Sequence, residues 1–263
     1  MKITLHTGLV RANVLACACV FLAAATVHAA EIKVVTSGAF TAAYLKLVPE
    51  YERTTHNKLA TEFGPSMGTT HNAIPLRLER GEAIDVVIMA APALDHLSQQ
   101  GKVRADSRVS LVQSRIGMAV KAGMPKPDIS TVDALKRTLL AATSIAYSDS
   151  ASGVYLSTEL FPKLGIAEQI QGKTRKIEAD PVGESVARGE VEIGFQQISE
   201  LRPVKGIDIV GPLPPGAQKI TVFAAGIPAT STHPEAAKAL IQWLASPAAY
   251  TAIKESGLEP AHH

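Results

Sequence analysis

Two spacing rules alternate along this chain. Ile32-Lys33-Val34-Val35 is a short β-branched run that stops at Thr36-Ser37-Gly38-Ala39, the pattern of a buried strand and its turn. Behind it Phe40, Ala43, Tyr44, Leu47 and Tyr51 recur three or four residues apart, which predicts a helix over Phe40 to Arg53. Leu59 to Phe63 reads as a second strand and Gly64-Pro65-Ser66-Met67-Gly68-Thr69-Thr70 as a turn. A helix from about His71 to Arg80 stops at Gly81, and Ile84 to Met89 is an apolar strand with one leading acid, Asp85.

The second half follows the same rules. Ser144 to Tyr147 is a strand, Ser148 to Gly153 a polar turn, and Val154 to Leu164 a helix that Pro162 shortens. A short helix over Gly183 to Arg188 ends at Gly189, and Val191 to Gln196 is a strand. Strands alternating with helices predict an α/β fold with parallel sheet. Arg80-Gly81-Glu82 and Arg188-Gly189-Glu190 each precede a strand, which with the matching element order predicts two similar lobes. Leu111 to Val120 and Ile220 to Ala225 read as crossovers between them. Glu235 to Leu244 is an amphipathic helix that packs through Ala239, Leu240, Trp243 and Leu244, and Gly211 to Gly216 is a Pro-rich surface turn.

The first 30 residues follow neither rule. Lys2 and Arg11 precede an uncharged, mostly apolar run from Val14 to Val27, and small residues follow at Ala29 and Ala30. This is the three-part pattern of a secretory signal peptide cleaved near Ala29 or Ala30. The run falls short of the roughly 20 residues a membrane-spanning helix needs. Val14-Leu15-Ala16-Cys17 also loosely fits a lipoprotein signal, although Arg11 interrupts its apolar run. Both cysteines, Cys17 and Cys19, lie in this leader, so the remaining chain has no thiol chemistry. Removing Lys2 and Arg11 from 26 basic residues leaves as many bases as the 24 acids. A neutral chain without a basic stripe argues against a nucleic-acid partner. The 46% hydrophobic content excludes long disorder, and 263 residues leave room for one large or two medium cores.

Three polar, Gly-containing turns lead from strands into helices: Thr36-Ser37-Gly38, Ser66 to Thr70, and Ser148 to Gly153. Unpaired N–H groups at a helix start carry partial positive charge and accept anions. Each turn alone equally fits ordinary N-capping; three of them, split between two halves, point to a shared anion site at the strand ends. His71 and Asn72 fall beside the second turn, within reach of a ligand or of solvent. Arg77 and Arg80 read as solvated helix-face charges, and no His pair has metal-ligand spacing with a third ligand nearby. The chain has no Gly-x-Ser-x-Gly elbow, phosphate-binding loop or His-Glu-x-x-His, and Ser66 and Ser152 have no base in sequence context. The expectation is therefore a binding protein without turnover, with a secreted α/β hydrolase as the competing class.

Ile32 to Ala43, Arg80 to Ile88, Ser152-Gly153-Val154-Tyr155, Trp243 to Pro247 and Gly257 to Pro260 together resemble the periplasmic substrate-binding proteins of ABC transporters, most closely the molybdate-binding type. The resemblance implies a two-lobe type II periplasmic-binding-protein fold, with mixed, mostly parallel sheets, helices on both faces and two hinge crossovers. Residues 31–112 with 222–263 would form one lobe and 113–221 the other. It also implies a monomer in the periplasm, a small anion held in the cleft, an inner-membrane permease as partner, and no cofactor or metal. The same likeness extends to a sensor subunit, which differs only in its partner. Carried over by position, the oxyanion contacts fall on Ala39, Ser66, Ser152, Val182 and Gln197, with Ser37, Thr69, Thr70, His71, Gly153 and Tyr155 beside them. Two positions depart from the family: Ala39 replaces a serine and Gln197 a tyrosine. Each change removes a hydroxyl, at roughly 1.5–3 kcal/mol for a bond to a charged group. The implied ligand is then an organic di- or tricarboxylate rather than molybdate, with a molybdate- or tungstate-type oxyanion as the alternative.

Overall fold

The computed structural model describes residues 29–261, Ala179 excepted. The leader, with its cleavage and lipoprotein alternatives, lies almost wholly outside them, as does the His262-His263 pair.

Strand β1 (Glu31–Thr36) leads into α1 (Gly38–Thr55), followed by β2 (Lys58–Phe63), α2 (Ile74–Glu79), β3 (Val86–Ala90), α3 (Ala91–Gln99) and β4 (Val109–Ser114). The chain then crosses to β5 (Ile116–Lys121), α4 (Val132–Ala141), β6 (Ile145–Ser148), α5 (Ala151–Tyr155), α6 (Phe161–Lys163), α7 (Ala167–Ile170), β7 (Thr174–Ile177), α8 (Val182–Arg188), β8 (Ile193–Gln197), α9 (Ile198–Leu201) and β9 (Ile207–Pro212). It returns through β10 (Thr221–Gly226), α10 (Pro234–Leu244), α11 (Tyr250–Glu255) and β11 (Glu259–Pro260). One mixed sheet runs β11-β4-β10-β3-β1-β2 and the other β7-β6-β8-β5-β9. The segment read as one crossover, Leu111 to Val120, is two strands in different sheets, divided at Arg115. The second crossing joins β9 to β10. No helix among the described residues is long and apolar enough to cross a membrane.

The helical stripe of α1 is buried as its spacing predicts: Phe40, Ala43, Tyr44, Leu47 and Tyr51 pack with α10 and α11 on one face of the six-stranded sheet. Tyr51 meets the Trp243 ring edge-on at 5.3 Å between centroids. Residues of α2 and α3 cover the other face. The five-stranded sheet is likewise covered on both faces, by α4 to α7 on one and α8 on the other.

Two helix starts and one side chain differ from the sequence reading. The helix expected from His71 begins at Ile74, because Pro75 has no N–H to donate and fits only a first turn. The helix expected from Val154 begins at Ala151, widens into a π turn over Leu156–Leu160 and passes through Pro162. The wide turn sits where Pro162 lacks its N–H. Arg77 is no solvated charge: it is 7% exposed and forms ion pairs with Glu62 and, at 2.7 Å, Glu82. Its partner Glu62 comes from β2, so tertiary contact buries it.

Asp85 is a structural anchor. It is 1% exposed and accepts hydrogen bonds from Lys33 N (3.0 Å), Ser231 Oγ (2.8 Å), Thr232 N (3.0 Å) and His233 N (3.0 Å). Burial pushes its carboxyl up, but these bonds outweigh burial and hold it below the ordinary carboxylate range. A depressed native pKa means stability that is complete above the unfolded value, about 4, and is lost as pH falls through the native one. Asp85→Ala is expected to cost about 3 kcal/mol at pH 7. Urea unfolding at pH 7 and pH 3 checks this: the gap between wild type and variant narrows in acid.

Candidate active site

The ends of β1, β6 and β8 converge between the two sheets. Ser37 is the N-cap of the 18-residue α1, yet its side chain makes no capping bond, and the first turn holds no acid. The positive end of α1 is thus left open toward the cleft. Facing it is α9, whose Glu200 carboxyl lies against Gly38: a Cβ built on Gly38 would stand 2.0 Å from Glu200 Oε1. Gly38 leaves this space to the acid, and a side chain there would displace the Glu200 carboxyl.

Gly38, Ser150 and Glu200 are shared by two cavities. The outer one, about 290 Å³, is also lined by Thr41, Phe63, Asn72, Asp149, Asp180, Gln196 and Ser199. That volume lies near the lower bound of small-molecule sites, about 300 Å³. The inner one, about 10 Å³, is lined by Ser37, Ala39, Ala151, Ser152, Gln197 and Phe223. Four buried polar atoms around these spaces have no protein partner: Ser37 Oγ, Asp149 Oδ2, Gln197 Oε1 and Ser199 Oγ. Buried polar atoms are nearly always paired, so this cluster points to a polar guest.

Among the described residues no lysine or arginine lines either cavity. Three acids do, and two of them are altered. The Glu200 residue keeps some accessible surface, while protein surrounds its carboxyl group. Burial pushes that carboxyl up to about 7, against the pull of the Gln196 amide and Gln197 backbone, and the Asp149 charge adds to the push. Burial likewise raises Asp149. A carboxyl that titrates near neutrality serves as either acid or base. When protonated it also ceases to repel an anion. Among the described residues no group of three or more His, Cys, Asp or Glu is placed to hold a metal ion.

The cleft brings together Ser37, Ala39, Ser152 and Gln197 of the predicted set. Ser66 is buried nearby, its Oγ accepting from Ala90 N at 2.9 Å. The others play different parts. Ser152 Oγ also bonds Ser148 Oγ at 3.1 Å, and Gly153 packs on the Ser148 backbone. The Tyr155 hydroxyl donates to Ala217 O at 2.8 Å, and Val182 N donates to Gln196 Oε1 at 3.0 Å. Thr69 and His71 are exposed and line neither cavity, whereas their neighbour Asn72 does. Thr70 Oγ1 is buried without a partner. Sequence reasoning missed Glu200, Gln196 and Ser199. The only cue was a polar Gln-Gln pair ending an apolar strand.

The comparisons with known proteins agree with this architecture. Residues 32–259 match the family described as bacterial extracellular solute-binding protein. The molybdate-binding protein ModA of Azotobacter vinelandii is 27% identical over 248 residues, 90% of this chain and 92% of that one. The solved structure of the periplasmic molybdate-binding protein of that organism superposes with a TM-score of 0.70 at 21% identity, over 88% of this chain and all of the other. A Pseudomonas protein is 53% identical over 229 residues, 87% of each chain, and is named aconitate isomerase. That name overturns the expectation of binding without turnover. Absence of hydrolase and metalloenzyme motifs excluded too much, because proton abstraction needs one placed carboxyl and leaves no motif. With its two covered mixed sheets, paired crossings and open α1 terminus between them, this chain belongs to the bacterial extracellular solute-binding protein family.

Proposed function

We propose that this chain binds a tricarboxylate of the aconitate class between its two sheets and interconverts the cis and trans isomers. The observation that carries this reading is Glu200, an enclosed carboxyl pressed against the open N-terminus of α1 at the junction of the two cavities. The 53% identity to a protein named aconitate isomerase supports the substrate class.

Aconitate is a propene skeleton with a carboxylate on each carbon. Its CH₂ is allylic and next to a carboxylate, so its C–H bond is acidified. Glu200 takes that proton, and the electron pair spreads over the three-carbon unit and its carboxylates. The two outer carbons are then equivalent. Returning the proton to the opposite carbon shifts the double bond, which re-forms with either geometry. No group is lost, no electron is exchanged and Glu200 ends as it began. The partial positive charge of α1 and the unpaired Ser37 and Ser199 hydroxyls stabilise the charge that spreads in the intermediate.

The family match supports a second role beside turnover, presentation of the bound carboxylate to an inner-membrane permease. The N-terminal leader pattern would put both roles in the periplasm. Calorimetric titration of the purified chain with cis- and trans-aconitate, citrate, sulfate and molybdate tests the ligand class. The aconitates are expected to bind at least about a hundredfold more tightly than molybdate, since two oxyanion hydroxyls are missing. Tight molybdate binding with inert aconitate would overturn the proposal.

A further inference from the structure

We propose that Gln196 is a positioning residue that clamps Glu200 Oε1 and leaves Oε2 as the oxygen that carries the proton. This inference rests on the reading of Glu200 as the acid–base group of the cleft.

Gln196 is the penultimate residue of β8 and is 5% exposed. Its Oε1 accepts from the backbone N–H of Val182, the first residue of α8, at 3.0 Å. Its Nε2 donates to Glu200 Oε1 at 3.1 Å. The orientation of this amide is forced. A backbone N–H only donates, so the amide oxygen must face Val182 and the amide nitrogen must face Glu200. Glu200 Oε1 is therefore held as an acceptor in every protonation state. The same oxygen rests against Gly38. Oε1 is thus held by the Gln196 amide and crowded by Gly38, and the exchangeable proton is assigned to Oε2.

The clamp also sets the proton affinity of the carboxyl. An N–H donated to a carboxylate favours the charged form and opposes the burial that raises this group. The other titratable groups around Glu200 are Asp149, at the turn after β6, and Asp180, ahead of α8; both line the outer cavity. The first turn of α1 contributes none. Asp149 pushes in the same direction as burial, which leaves the Gln196 amide and the Gln197 backbone as the opposing pull.

The test is a site titration of the Glu200 side-chain carboxyl carbon by NMR in the full chain, in wild type, Gln196→Met and Gln196→Glu. Met keeps the length and removes the donor. Glu keeps an acceptor for Val182 N and so guards against loss of the α8 contact. Both variants are expected to raise the midpoint, Gln196→Met by about one pH unit from near 7. A midpoint that stays put in folded variants would overturn the proposal. This readout needs no turnover, so it stands apart from the isomerase reading. With aconitate as substrate, the acidic limb of the kcat/KM profile moves by the same amount. A merely structural role would lower activity at every pH and leave the inflection in place.

Discussion

Replacing Glu200 by Gln is expected to lower kcat for aconitate isomerisation by about 10³-fold or more, the upper range for loss of a positioned acid–base group. Binding should survive. Gln has the shape of Glu, can still accept the Gln196 Nε2 bond, and carries no negative charge toward an anionic ligand. A Kd for trans-aconitate unchanged or tighter, beside a collapsed kcat, separates the chemistry from the grip. The wild-type pH profile follows from the same group. Its carboxyl is raised to about 7, and only the ionised form takes a proton from carbon. The kcat/KM value, which reports the free enzyme, should therefore fall about tenfold per pH unit below about 7 and level off above it. Equal loss of binding and turnover in Glu200→Gln would make Glu200 a ligand contact and nothing more.

Gly153→Ala is expected to produce the largest loss of stability. A Cβ there would lie 1.6 Å from Ser148 O, 2.6 Å from Ser148 C and 3.0 Å from Ser148 N, all backbone atoms. No rotamer change relieves such a contact; the turn between β6 and α5 must move. Overpacking commonly costs about 1–3 kcal/mol, and a backbone clash belongs at or above the top of that range. At roughly 2–4 °C per kcal/mol for a chain of this size, the melting temperature should drop by at least about 6 °C. Ser150 and Ser152 sit on this turn and line the cavities, so ligand binding should weaken too. Gly81→Ala is the matched control. Its φ of +72° strains an alanine, but nothing lies within 4 Å of the new Cβ, so the cost should be about 1 kcal/mol. Equal melting temperatures in the two variants would show that the Ser148 contact does not hold the turn.

The elements that position the cleft were legible because they are local. The stripe of α1, the apolar run of β3 and the turn after β6 each bury or cap their own neighbours. Where two apolar segments met without Gly or Pro, the boundary was invisible: β4 and β5 read as one run although they belong to different sheets. The chemistry was harder to read. Glu200 lies on a four-residue helix, and its proton affinity comes from burial against Gly38, 162 positions earlier in the chain, and from the charge of Asp149. Likewise Gln197 was chosen over Gln196 by position, whereas the contact with Glu200 depends on which of the two amides reaches Val182. Spacing carries no information about such pairings.

Proton NMR of aconitate in D₂O with the purified chain observes both the isomers and the fate of the transferred hydrogen. Addition of wild-type protein to trans-aconitate should yield the cis isomer and move deuterium into the outer carbon positions, while Glu200→Gln should do neither at comparable rates. Saturating trans-aconitate that stays unchanged and unlabelled on wild-type protein would contradict the account.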